Sequence, residues 1–160
     1  MTRPLAPCQP PARAGGNFRW LLLLAVGMVA TLPANAQACE GLQIEAPWVR
    51  EPPPGASAVA AFMTLRNTGP QPLLIDSVSA EGYGMGMLHE TVHDGDKVRM
   101  RHRHAVTVPA GGALALAPGG LHVMLMHPAT APRAGDAVAL TLGCDGRTVR
   151  VSVPVRRDPP

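Results

Sequence analysis

The clearest alternation in the chain is VRVSVPV, which runs from Val149 to Val155. Successive side chains of a β-strand point to opposite faces of a sheet, so the valines of this run share one face. Toward the N-terminus, shorter alternating segments recur roughly every ten residues, and Gly- and Pro-rich turns separate them. The pattern predicts about eight or nine short strands and an all-β fold, either a sandwich or a Greek-key barrel.

Residues 1–38 predict a signal peptide that is cleaved on export. Its positive charge comes from Arg3, Arg13 and Arg19, its apolar run of 13 residues extends from Trp20 to Leu32, and a small-residue cleavage site follows. A membrane anchor is the alternative, but a spanning helix needs about 20 apolar residues. The sequence therefore predicts an exported protein that has no membrane association after cleavage.

Cleavage would leave a small neutral domain. The whole chain has a net charge of +3, and the leader contains three of the 14 basic residues and none of the 11 acidic ones. A neutral domain without a basic patch argues against nucleic-acid binding. Residues 39–155 are predicted to form one β-domain, and residues 156–160 a short tail. In the first strand, Leu42, Ile44 and Trp48 share a parity and are expected to lie on one face.

Two cysteines remain after the leader, Cys39 and Cys144. In an oxidising compartment an even pair of cysteines predicts a disulfide. A thiolate metal site is the alternative, but neither cysteine lies near the candidate metal ligands in the sequence. Lipid attachment to Cys39 is disfavoured, because the preceding Ala36-Gln37-Ala38 lacks the apolar residue expected at such a site.

Histidine and methionine are concentrated in one stretch. All six histidines lie between residues 89 and 127, and every methionine after the leader except Met63 lies between residues 85 and 126. Taken singly, each methionine is more typical of core packing, and each histidine of a hydrogen-bonded or exposed position. Their concentration in one stretch favours a metal site.

Spacing selects four of these residues as candidate ligands. His122, Met124 and Met126 share a parity, so they are expected to project from one face of a strand. His89 and Met100 flank an Asp-Gly-Asp turn and are expected on the two arms of a hairpin. The two arms and the third strand would bring together His89, Met100, His122 and Met124.

This set of ligands favours copper(I). Thioethers are soft and suit copper(I), imidazole binds either copper state, and zinc rarely takes methionine. Four neutral ligands also suit a monovalent ion better than a divalent one.

The spacing resembles the motif of the periplasmic copper A chaperone (PCuAC) family, which is His, ten residues, Met, twenty-one residues, then His-x-Met. Here ten residues separate His89 from Met100. Twenty-one residues separate Met100 from His122, and Met124 completes the match. The resemblance covers most of the predicted domain and includes Ala46-Pro47-Trp48-Val49-Arg50, Pro53-Pro54-Gly55, Val108-Pro109-Ala110-Gly111-Gly112 and Pro118-Gly119-Gly120.

The resemblance implies a cupredoxin-like β-barrel with a copper(I) site formed by His89, Met100, His122 and Met124. It also implies a periplasmic chaperone that delivers copper to the copper A subunit of cytochrome c oxidase alongside Sco-type thiol proteins. Some family members carry a C-terminal His/Met-rich tail that handles copper(II). Residues 156–160 contain no such ligand.

Other functions are weighed against this one. A periplasmic copper storage or resistance protein is one alternative, and a β-sandwich binding module without a metal is a second. An electron-transfer cupredoxin needs a Cys thiolate beside its histidines, and the His/Met stretch has none. No nucleophile stands beside a base, so an enzyme is not predicted. Seven nearby residues receive no role: Met85, Met87, His93, His102, His104, Met126 and His127.

Overall fold

Ten β-strands joined by turns make up the residues that the computed structural model describes, 39–95 and 97–160. In chain order the strands are β1 (Leu42–Arg50), β2 (Ala58–Asn67), β3 (Leu73–Ala80), β4 (Tyr83–Asp94), β5 (Lys97–Arg103), β6 (Val106–Val108), β7 (Ala113–Leu116), β8 (Leu121–Pro128), β9 (Ala137–Cys144) and β10 (Arg147–Arg156). The all-β prediction is confirmed. The predicted signal peptide, residues 1–38, lies outside the described residues. Within the described part, no helix is long and apolar enough to cross a membrane.

The strands form one continuous sheet in the order β5-β4-β8-β2-β1-β10-β9-β3-β6, with β7 beside β2. A short parallel pairing of β1 with β10, at Val49–Val155 and Arg50–Arg156, joins the two halves of this sheet. Residues of both halves contribute to a single buried apolar cluster. The two halves therefore pack face to face, which confirms the predicted sandwich.

The valine run that predicts the fold is β10. Val153 and Val155 are buried, whereas Arg150 and Ser152 are exposed. In the pairing with β9, Val153 lies opposite the buried Val138. Fully burying a valine contributes about 1.5–3 kcal/mol, so the alternation in this strand stabilises the junction of the two halves.

The first strand departs from the predicted parity. Ile44 lies opposite the fully buried Leu65, on the core side of the sheet, whereas Trp48 lies opposite Phe62 on the outer side. A β-bulge before Trp48, with Ala46 at a φ of 45°, inserts one extra residue into β1. The expectation that Trp48 shares a face with Ile44 is therefore wrong. The bulge moves the indole to the outer face, next to the candidate site.

A disulfide joins Cys39 to Cys144, with the two Cα atoms 5.9 Å apart and a sequence separation of 105. It ties the segment before β1 to the last residue of β9. Closing a loop of this length contributes on the order of 4–5 kcal/mol in the loop-entropy model. The predicted disulfide is confirmed. Because both sulfur atoms are bonded, neither a thiolate metal site nor acylation of the Cys39 sulfur fits this structure.

The predicted tail begins one residue later than the sequence suggests. β10 ends at Arg156, the first residue of the segment 156–160. Arg157 then forms an ion pair with Glu51, with Nε and Oε2 2.7 Å apart. Because Arg157 is largely exposed to solvent, this pair contributes little to stability.

Candidate metal centre

The candidate site lies on the outer face of β5, β4 and β8, at one end of the sheet. Leu88 of β4 and Val123 of β8 lie opposite each other and are buried in the core. Because side chains alternate along a strand, the adjacent His89 and His122 project from the outer face. These two histidines also lie directly opposite each other in the pairing of β4 with β8.

His122 is buried, although it lies on the outer face. It is only 4% exposed, and its ring centroid lies 6.3 Å from that of Phe62, which stacks on Trp48 at 4.8 Å. Its Nδ1 lies 3.0 Å from the backbone carbonyl oxygen of Gly120. A proton on Nδ1 makes this contact a hydrogen bond and leaves the lone pair on Nε2. The carbonyl therefore orients the ring as second partners orient metal-binding histidines.

His89 lies between two other imidazoles. Its ring centroid is 6.0 Å from that of His122 and 5.7 Å from that of His102. Burial lowers the pKa of His89 from its ordinary value, and the neighbouring His122 and His102 lower it further. The neutral ring is thus favoured, and neutral imidazole is the form that binds metals.

One nitrogen of the same ring is unsatisfied. Nδ1 of His89 is buried and has no hydrogen-bond partner among the described residues. A buried polar atom without a partner costs about 1–3 kcal/mol. A metal ion bound to Nδ1 would remove that cost, so the donor set fits a metal site.

Met124 completes the compact part of the site. It is the next residue after His122 on the outer face, about 7 Å further along the strand. It lies opposite Met87 of β4 and Ala60 of β2, and it is partly buried. The structure thus brings together three of the four predicted ligands, His89, His122 and Met124.

Met100 lies at the margin. The predicted hairpin is present as β4 and β5, but Met100 lies opposite Thr91, and the residue directly opposite His89 is His102. Diagonal neighbours on adjacent strands are roughly 7–8 Å apart, which a long side chain can bridge. Met100 is 61% exposed. It is therefore available to the site, but it is the least constrained of the four.

Sequence reasoning missed the position of His102. This residue alternates with Arg101 and Arg103, a pattern typical of a strand that faces solvent. The available indication was its parity with Met100, which places both on one face of β5. The ring of His102 also lies 4.7 Å from that of His104, centroid to centroid.

The arrangement of side chains restricts the type of metal. Across residues 39–95 and 97–160, no three His, Cys, Asp or Glu side chains form a group that could hold a metal ion. A coordination sphere that included Met124, which follows His122 on the same face, would combine imidazole nitrogen with thioether sulfur. A thioether-containing sphere is typical of copper(I) and not of zinc.

Of the remaining histidines and methionines, the methionines continue the outer face and the histidines lie near the ends of strands. Met85 lies opposite Met126 and continues the outer face beyond Met124. His93 lies opposite Val98 near the tip of the hairpin. His127 is exposed at the end of β8, at a φ of 52°.

The structure is similar to solved PCuAC domains. The structure matches the copper-bound PCuAC domain from PmoF2 with a TM-score of 0.62 at 23% identity, over 74% of this chain and 94% of that chain. It matches the solution structure of the CuI form of DR1885 from Deinococcus radiodurans with a TM-score of 0.61 at 34% identity. That match covers 78% of this chain and 84% of that chain. The resemblance to the PCuAC family is confirmed.

The chain belongs to the LpqE-like family. The family model, described as "Putative lipoprotein LpqE-like", matches residues 42–155. The chain is also 34% identical to "Putative lipoprotein Lxx21020" of Leifsonia xyli subsp. xyli (strain CTCB07) over 142 residues. This alignment covers 85% of this chain and 84% of that protein. The matched region includes all four candidate ligands.

Proposed function

We propose that this protein is an exported copper(I) chaperone that holds the ion with His89, Met100, His122 and Met124. One observation carries the proposal. The buried, unsatisfied Nδ1 of His89 lies on the same face as His122 and Met124, directly beside them in the strand register. The 34% identity to DR1885, whose solution structure is that of a CuI form, supports copper(I) as the cargo.

The ligands suit reversible binding of a soft monovalent ion. His122 contributes Nε2, because its Nδ1 is engaged by Gly120. The ring of His89 is neutral and contributes its lone pair, and the two methionines contribute soft thioether sulfur. No ligand carries a charge, so the bound ion keeps its single positive charge and is not trapped by strong ionic attraction.

Exposure differs along the site in a way that supports transfer. His122 is 4% exposed, whereas Met100 is 61% exposed and every residue of β5 is exposed. The ion would therefore be bound to a buried ligand in β8 and be accessible to solvent and to other proteins on the β5 side. An incoming protein can replace Met100 first and then draw the ion away by exchanging one ligand at a time.

The compartment and the recipient are part of the proposal. The lipoprotein names of the family and of the Leifsonia relative support export, and a disulfide such as Cys39–Cys144 persists in the periplasm. We place the protein in the periplasm. The recipient is the copper A subunit of cytochrome c oxidase, and Sco-type proteins act alongside.

Copper storage or resistance is the second candidate function, since the same ligands would serve both. Transfer distinguishes the two. A chaperone loaded with one equivalent of copper(I) delivers it to a soluble, reduced copper A domain, and mass spectrometry then finds the copper on that domain. A storage protein retains its copper under the same conditions.

Competition for copper(I) tests the proposal itself. The exported protein is titrated against a chromogenic copper(I) chelator with ascorbate as reductant, so that the disulfide is left intact. The wild type is expected to hold one equivalent of copper(I) tightly against the chelator, apart from any that binds more weakly. His122→Ala is expected to lose this equivalent, because it removes the anchored ligand.

His127→Asn is the matched control, because it changes another histidine of the same strand outside the site. Asn tolerates the left-handed backbone at this position. The control should bind as the wild type does. If no copper(I) binds, or if His122→Ala binds as tightly as the wild type, the domain is a β-sandwich binding module without this metal site.

A further inference from the structure

Two pairs of methionines extend the outer face beyond the His/Met site. In the pairing of β4 with β8, Met87 lies opposite Met124 and Met85 lies opposite Met126. Alternation places all four on the face that carries His89. The motif of four ligands uses Met124 and leaves the other three without a role.

Packing does not account for these three methionines. Met85 is 52% exposed, and Met87 and Met126 are only partly buried. None of them packs against the core cluster, which the same strands supply with Leu88 and Leu125. A large apolar side chain held at the surface gains little from the hydrophobic effect, so these thioethers need another explanation.

The backbone of β4 between Met85 and Met87 lies close against β3. A Cβ atom on Gly86 would lie 2.5 Å from the backbone carbonyl oxygen of Val78 in β3, so only glycine fits between Met85 and Met87. The inner side of β4 is thus in direct contact with the β3 backbone. Met85 and Met87 lie on the opposite, outer face of β4.

We infer that Met85, Met87 and Met126 form a second copper(I) site, made of thioethers alone, beside the His/Met site. Side chains directly opposite each other on paired strands have Cβ atoms about 4.5–5.5 Å apart. The next pair lies about 7 Å along the strand. Methionine is unbranched and flexible, so three sulfur atoms can converge on one ion across these separations.

The chemistry of the set selects the ion. Three neutral, soft sulfur donors favour copper(I) over zinc or copper(II). The identity of the ion rests on the proposed function, whereas the existence of the site rests on the methionine register. The set lacks imidazole, so the second site is expected to be the weaker one.

Met124 connects the two sites. It lies opposite Met87 and follows His122 on the same face. An ion can therefore move from the exposed Met85 toward His122 by exchanging one thioether at a time, with no change in oxidation state. The second site would then serve as an entry or exit point for the first.

The test is a copper(I) titration of the exported protein carrying 13C-labelled methionine methyl groups, followed by NMR and by chelator competition. The first equivalent is expected to shift the methyl signal of Met124. The second is expected to shift those of Met85, Met87 and Met126, and to leave the buried Met63 unmoved. The double variant Met85→Leu/Met126→Leu should lose the second equivalent and retain the first.

Met63→Leu is the matched control for loss of a thioether, because Met63 is buried in the core and not on the outer face with the other methionines. It should bind two equivalents. A wild type that binds only one equivalent and loses it in His122→Ala, or a double variant that still binds two, overturns the second site.

The outcomes also separate this inference from the proposed function. If the protein binds one equivalent that survives His122→Ala and disappears in the Met85→Leu/Met126→Leu variant, the thioether site stands and the His/Met site falls. If His122→Ala and the methionine variant each lose one equivalent, both stand. If copper(I) moves no methionine signal at all, both fall.

Discussion

The two faces of the same pair of strands, β4 and β8, carry different kinds of side chain. On the inner face, Leu88, Val123 and Leu125 are buried in the apolar core. On the outer face, one residue away from one of these buried side chains in each strand, His89 and His122 lie opposite each other. The inner face is apolar and closely packed, whereas the outer face carries soft metal donors that have little contact with the core.

This difference shows how the fold and the site are separated by the alternation of a strand. Changes on the inner face should act on the free energy of unfolding, and changes on the outer face should act on copper(I) affinity. His122 is the exception, because it is buried while lying on the outer face. The stack of Phe62 and Trp48 beside it makes a second, smaller packed region on that face.

The largest effect on stability is expected on the inner face. Leu125→Ala should lower the free energy of unfolding by about 2–5 kcal/mol, because it leaves a cavity in the core. Urea denaturation measures this change. Leu74→Ala, at a surface position 42% exposed, is the control and should change stability little. A folded Leu125→Ala protein that has lost copper(I) binding would show that the faces are not independent.

The largest effect on binding is expected on the outer face. Met124→Leu keeps the volume of the side chain and removes the sulfur. It should weaken copper(I) binding at the first site at least as much as the loss of a residue that only orients a metal ligand. Such a loss lowers metal affinity ~10–100-fold. The effect of the substitution on the free energy of unfolding should stay below about 1.5 kcal/mol. Chelator competition and urea denaturation give the two values, and unchanged affinity would remove Met124 from the site.

A smaller effect decides which residue of β5 is the ligand. Met100→Leu should weaken copper(I) binding less than Met124→Leu does, because Met100 is exposed and loosely placed. His102→Ala, on the same strand as Met100 and directly opposite His89, should change affinity by no more than roughly twofold, which is below 1 kcal/mol. The reverse order would assign the role of Met100 to His102.

The smallest effect on stability and on copper(I) affinity is expected at His127, near the exposed end of β8. His127→Asn replaces an exposed residue at a positive φ with one that tolerates this conformation. It should alter the free energy of unfolding by no more than about 0.5 kcal/mol and leave copper(I) affinity unchanged. A clear loss of affinity would extend the site to the end of β8.

The sequence predicts the fold where periodicity is regular. The valines of β10 and the alternation in β8 give the right faces, and the two cysteines give the right disulfide. Trp48 could not be placed in this way, because a single extra residue at Ala46 reverses the parity of the strand that follows. A bulge of this kind leaves no reliable trace in the pattern of apolar residues.

The sequence predicts the part of the candidate site that lies on one strand, but not the part that depends on pairing between strands. His122 and Met124 share a strand, so their common face follows from parity alone. The neighbour of His89 depends on the register of the β4–β5 hairpin, which the turn geometry sets. Sequence spacing therefore could not show that His102, and not Met100, lies directly opposite His89.

X-ray absorption at the copper edge tests the central claim most directly. The exported protein is loaded with one equivalent of copper(I) and compared with Met124→Leu at the same loading. The account predicts that copper(I) has both nitrogen and sulfur neighbours in the wild type, and that the sulfur contribution falls in the variant. A spectrum with nitrogen and oxygen neighbours only would contradict a site built from His89, His122 and methionine.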